Sequence, residues 1–150
     1  MYFESAAAIA AYLRENPQLT CLTVKDCPQL DSLPDLPDTL ISLYIENCPR
    51  LTELGQLSKR LVSLWVSYCS SLRRLPALPA PLTRLRTITC SGLIELPELP
   101  EGLLDLWVSK CSQLRVLPAL PSSLTNLRID SCNTLTGRSL TAGKLTIEVR

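Results

Sequence analysis

Seven cysteines and no histidine define the chemistry open to this chain of 150 residues. Cysteine supplies a nucleophile, a redox partner or a soft metal ligand. A thiol nucleophile needs a base beside it, and the lack of imidazole excludes Cys-His and Ser-His arrangements together with every His-dependent zinc or haem site. Six of the thiols, Cys27, Cys48, Cys69, Cys90, Cys111 and Cys132, recur every 21 residues. No C-x-x-C pair occurs among them, so no metal and no other cofactor is expected. In stacked parallel units their Cβ atoms would stand about 4.8 Å apart, beyond the roughly 3.5–4.5 Å that a disulfide spans. The expectation is six reduced, buried thiols whose weak S–H donors meet backbone carbonyls, in a reducing compartment. Cys21 falls outside the register, at an outward position with no base, and no catalytic role is expected of it.

The period that spaces the cysteines also spaces the leucines, which number 32. Units open at Leu19, Leu40, Leu61, Leu82, Leu103 and Leu124 with L-x-x-L-x-[VIT]-x-x-C-x-x-L. A repeat sustained over six units decides the architecture before any local assignment. The fourth to sixth residues of each unit alternate apolar, outward, apolar, which reads as a short half-buried strand. The rest reads L-x-x-L-P-x-L-P. Its prolines, at Pro34/Pro37, Pro76/Pro79, Pro97/Pro100 and Pro118/Pro121, forbid a helix and favour an extended, polyproline-like return. Positions one, four, six, nine, twelve, fifteen and eighteen would stack into one continuous core.

The full pattern, carried by Leu61, Leu64, Val66, Cys69, Leu72, Leu75, Pro76, Leu78 and Pro79 in the third unit, resembles a leucine-rich repeat. The L-P-x-L-P ending is similar to the repeats of secreted bacterial effectors of the IpaH and YopM type. The Cys-x-x-Leu step, as in Cys27-Pro28-Gln29-Leu30 and Cys48-Pro49-Arg50-Leu51, is similar to plant intracellular immune receptors. The resemblance implies an α/β repeat: a leucine-rich repeat solenoid with a parallel β-sheet on its concave face, an extended convex side and modest curvature.

The boundaries expected are a capping helix within 1–18, six repeats over 19–144 and a terminal edge strand at 145–150. Ser5 or Glu4 starts the helix and Pro17 stops it, with Ile9, Tyr12 and Leu13 on the inward side and Phe3 wedged beneath. At the other end Leu145, Ile147 and Val149 alternate with Lys144, Thr146, Glu148 and Arg150, an open edge able to support self-association. Two irregularities interrupt the repeats. Thr87 takes the inward sixth position with Ile88 at the seventh, so that either a threonine is buried or an isoleucine is displayed, and a displayed Ile88 is expected. Gly55 and Ser58 replace the two return prolines in the second unit, which is expected to loosen that segment.

Function is then expected on the outward columns of the sheet. Position three carries Cys21, Ser42, Ser63, Arg84, Asp105 and Asn126; position five carries Thr23, Tyr44, Trp65, Arg86, Trp107 and Arg128; position seven carries Lys25, Glu46, Ser67, Ile88, Ser109 and Asp130. Trp, Tyr and Arg dominate binding hot spots. The candidate partner-binding residues are therefore Tyr44, Trp65, Tyr68, Arg84, Arg86, Ile88, Asp105, Trp107 and Arg128. The competing reading is a purely structural Trp-Arg-Trp ladder. A net charge of +1 disfavours nucleic acid and anionic membranes as partners, and the longest apolar run, Ala6 to Leu13, is too short to span a bilayer. The chain thus reads as a non-enzymatic protein-binding module, cytoplasmic or, on the effector resemblance, acting in a host cytoplasm. Two alternatives remain: the substrate-recognition region of an IpaH-like ubiquitin ligase whose Cys-x-Asp catalytic motif is missing from this chain, and a self-assembling scaffold unit.

Overall fold

Each repeat makes one turn of a solenoid, and one strand per turn joins a single parallel sheet. The computed structural model describes residues 3–135 and the backbone of the strand at 146–149. A helix α1 (Ala6–Glu15) precedes β1 (Cys21–Lys25), β2 (Ser42–Glu46), β3 (Ser63–Ser67), β4 (Arg84–Ile88), β5 (Asp105–Ser109), β6 (Asn126–Asp130) and β7 (Thr146–Val149). The seven strands lie in chain order. From β1 to β6 the register follows the repeat, so Leu22, Leu43, Leu64, Leu85, Leu106 and Leu127 form one row. Strand β7 pairs with β6 one residue short of that period, Ile147 opposite Leu127. Lys144, Leu145 and Arg150, expected in the same strand, lie outside the described residues. The architecture is that of a leucine-rich-repeat solenoid with one N-terminal helix.

Two turns per coil explain the motif. The ninth residue's carbonyl accepts from the twelfth residue's N–H, as in Leu72 to Cys69 at 3.3 Å, so Cys-x-x-Leu is a tight turn that sends both side chains inward. The nineteenth residue's carbonyl accepts from the next coil's first leucine, as in Leu82 to Pro79 at 3.0 Å. Between strand and first turn, the eighth residue of every described coil adopts a left-handed conformation: Asp26, Asn47, Tyr68, Thr89, Lys110 and Ser131 have φ between 52° and 55°. None is glycine, and the ladder bonds on either side hold them there.

The core is the expected row set with corrections in its last two rows. Leu61, Leu64, Val66, Cys69 and Leu72 have no accessible surface, and at the fifteenth position Leu33, Leu54, Leu75 and Leu96 are nearly as closed while Leu117 is only partly buried. The eighteenth position is not uniformly core: Leu36 and Leu99 are buried, but Leu57, Leu78 and Leu120 are only partly so. No described layer packs over the return side, so this row forms a rim. Thr87 is buried and the neighbouring Ile88 is half-buried in the outward column, so the irregular fourth coil keeps the register of the others.

Gly55 and Ser58 do not loosen the second coil. Freed from proline, Gly55 donates its N–H to the Leu33 carbonyl at 3.1 Å, and Ser58 keeps the turn to Leu61. The Ser58 hydroxyl donates to the Leu40 carbonyl at 2.7 Å. A Cβ on Gly55 would meet the Pro34 carbonyl at 2.5 Å, so glycine permits this close approach between coils.

At the N-terminal end, Ser5 caps α1 by accepting from the Ala8 N–H. Ile9 and Leu13 close the first coil. Phe3 is buried against Tyr12, ring centres 5.6 Å apart, so the helix and its preceding residue form the lid expected of a solenoid end.

Candidate functional site on the outer face of the sheet

Because successive strands are in register, the fifth position of each coil becomes one column running across the sheet. Tyr44, Trp65, Arg86, Trp107 and Arg128 are consecutive Cα partners from β2 to β6. Their side chains make a continuous stack. The Tyr44 and Trp65 rings tilt against each other at 6.2 Å. The Arg86 guanidinium lies 5.2 Å from the Trp65 ring centre and 5.4 Å from that of Trp107. Arg128 covers the far side of Trp107 at 4.6 Å. Each guanidinium meets the negative face of an indole, a contact worth about 0.5–1 kcal/mol at an exposed site. The ladder anticipated from sequence is therefore real, and it is longer than a Trp-Arg-Trp triplet.

Two features of the stack were not legible in the repeat. Asp105, in column three of β5, is the register partner of Arg84, yet its carboxylate accepts from Arg86 Nη2 at 3.0 Å. The pair is diagonal, two residues along the strand, a spacing within reach of long side chains on one sheet face. Arg86 is thus pinned between two rings and one carboxylate. Trp107 Nε1 is buried with no hydrogen-bond acceptor, which leaves an indole donor unsatisfied in the middle of the face.

Arg84 and Arg128 are exposed, and their register partners on the next strands are Asp105 and Glu148. Ile88 stands half-buried in column seven of β4. Tyr68 is 53% exposed on the left-handed residue after β3 and stands at the rim, outside the stack. All nine candidate residues consequently lie on or beside one face, but only five are in mutual ring or cation contact.

Column seven needs correction. Ser67 and Ser109, expected outward, are each only 4% exposed. Both are short side chains between longer Cα partners, Glu46 and Ile88 for Ser67, Ile88 and Asp130 for Ser109. Their hydroxyls are used internally, Ser67 toward the Ile45 carbonyl at 3.4 Å and Ser109 toward Asp130 Oδ2 at 3.3 Å. At the β1 end Lys25 pairs with Glu46 at 3.3 Å.

Behind this face the cysteine column is structural. No cysteine is bridged. Cys27, Cys48, Cys69 and Cys132 donate to the carbonyl two residues back at 3.2–3.5 Å, closing the left-handed turn. Cys90 and Cys111 add the carbonyls of Val66 and Thr87 in the preceding coil. Burial pushes the Cys90 thiol up to about 11. The hydrogen bond to Cys132, followed by burial, raises Cys111 further. Cys132, half-buried at the end of the column, is held down at about 7 by the Cys111 side chain. Cys21 is exposed.

Among the described residues no group of three or more His, Cys, Asp or Glu could hold a metal, and no helix is long and apolar enough to cross a membrane. What the face offers is a continuous aromatic and guanidinium surface. No protein-family model and no curated protein matches the chain.

Proposed function

We propose that this chain is a non-enzymatic binding module that grips a protein partner on the outer face of its sheet. The observation that carries the reading is the stack of Tyr44, Trp65, Arg86, Trp107 and Arg128. Trp, Tyr and Arg are the residue types that dominate interface energetics, and here they are immobilised by one another before any partner arrives, which lowers the side-chain entropy cost of binding. The L-P-x-L-P ending, with its resemblance to secreted bacterial effectors, supports a partner inside a host cell.

The test is capture by the tagged chain compared with a Trp65→Ala/Trp107→Ala variant of unchanged far-UV circular dichroism. A specific partner retained by the wild type and lost by the double variant supports the reading. Equal capture by both overturns it.

A further inference from the structure

We propose that Cys111 and Cys132, at the open end of the cysteine column, clamp one soft monovalent cation of the copper(I) class between them in linear two-sulfur coordination. The two thiols repeat one another's surroundings. Cys132 Sγ donates to the Asp130 carbonyl at 3.4 Å and approaches that of Val108 at 3.9 Å, while Cys111 Sγ meets those of Ser109 at 3.5 Å and Thr87 at 3.6 Å. One side chain is therefore the other translated by a coil, which sets the sulfurs about one sheet rung, roughly 4.8 Å, apart. The contact between the two thiols holds them at or slightly inside that distance. A disulfide needs sulfurs about 2.05 Å apart and does not form there. Two metal–thiolate bonds of about 2.3 Å laid end to end span about 4.6 Å, so a linear S–metal–S unit fits without moving the backbone.

The absence of C-x-x-C pairs and of histidine argues against sites with three or four ligands, and among the described residues no such group exists. Zinc is therefore disfavoured, whereas thiolate ligands select copper(I). Deprotonation leaves no carbonyl orphaned by its own strand: Asp130 still accepts from the Lys110 N–H and Ser109 from the Thr89 N–H, each at 2.8 Å. Position in the column chooses the pair. At the other end Cys27 is closed under Phe3, whose N–H donates to its sulfur at 3.0 Å, and Cys69 and Cys90 are fully buried. Only at Cys132 is a thiol of the column half-buried rather than closed, so the cation enters from that side. Two S–H groups release two protons to solvent, two copper–sulfur bonds form, and no electron moves. The clip ties the fifth coil to the sixth, behind the sheet and away from the aromatic stack.

The anaerobic wild-type protein is titrated with copper(I) held as its bathocuproine disulfonate complex, and loss of the complex's colour reports transfer. One equivalent is expected to move to the wild type and to Cys21→Ser, and none to Cys132→Ser. Three measurements on the wild type need no variant. Copper-edge X-ray absorption should show two sulfur neighbours, the thermal unfolding midpoint should rise with copper(I), and thiol labelling of Cys132 should slow about tenfold while that of Cys21 is unchanged. No transfer, transfer that survives in Cys132→Ser but is lost in Cys21→Ser, a third sulfur neighbour, or unslowed labelling of Cys132 overturns the inference.

Discussion

Replacing Trp107 by phenylalanine separates what the indole does for stability from what it offers a ligand. The substitution keeps an aromatic face between Arg86 and Arg128, which lie 5.4 and 4.6 Å from the ring centre. Phenylalanine is the weaker partner for a cation, and losing part of two contacts costs about 0.5–1 kcal/mol. The same change removes an N–H that is buried without an acceptor, and relieving it returns about 1–3 kcal/mol. Trp107→Phe should therefore leave stability unchanged or raise it by up to about 2.5 kcal/mol. Trp65 has no such unsatisfied N–H, so Trp65→Phe should lower stability by about 0.5–1 kcal/mol. Urea unfolding followed by far-UV circular dichroism measures both without relying on tryptophan emission. A loss above about 2 kcal/mol for Trp107→Phe, or a loss larger than that of Trp65→Phe, would refute the reasoning. An indole held at a cost to folding fits the proposed binding role, where tryptophan contributes strongly.

Thiol labelling without denaturant should modify Cys21 and Cys132 quickly and the five buried cysteines only on unfolding, with the Cys132 rate rising through pH about 7, where its thiolate forms. Mass mapping of the labelled peptides checks this, and rapid modification of Cys69 or Cys90 would contradict it. Leu64→Ala, at a fully buried position in β3, should cost about 2–5 kcal/mol in chemical unfolding. Thr89→Asn should raise stability by about 0.5–1 kcal/mol, because a β-branched residue at φ 55° is strained and asparagine tolerates that conformation at the equivalent Asn47.

The period made the rows legible, and with them the core, the strands and the fifth-position column, because a parallel solenoid converts sequence spacing directly into spatial neighbours. What escaped were features set by atoms rather than by period. The left-handed eighth residue is hidden because Tyr68, Thr89 and Lys110 are not the residues that usually mark it. Gly55 suggested a loose return, yet a proline replaced by a residue with an N–H gains a bond to the coil before it. Ser67 and Ser109 read as outward from alternation alone, and only the length of their neighbours closes them off. The Arg86–Asp105 pair crosses the register diagonally, so column-by-column reading separates two residues that touch.

The claim that the sheet face is the binding surface is tested most directly by placing a photoreactive p-benzoylphenylalanine at Ser63, beside the stack in β3, and separately at Val116, exposed on the return side. Irradiation of each protein with the captured partner should give a covalent adduct from Ser63 and none from Val116. An adduct from Val116 alone would place the partner on the opposite side of the solenoid and contradict the account.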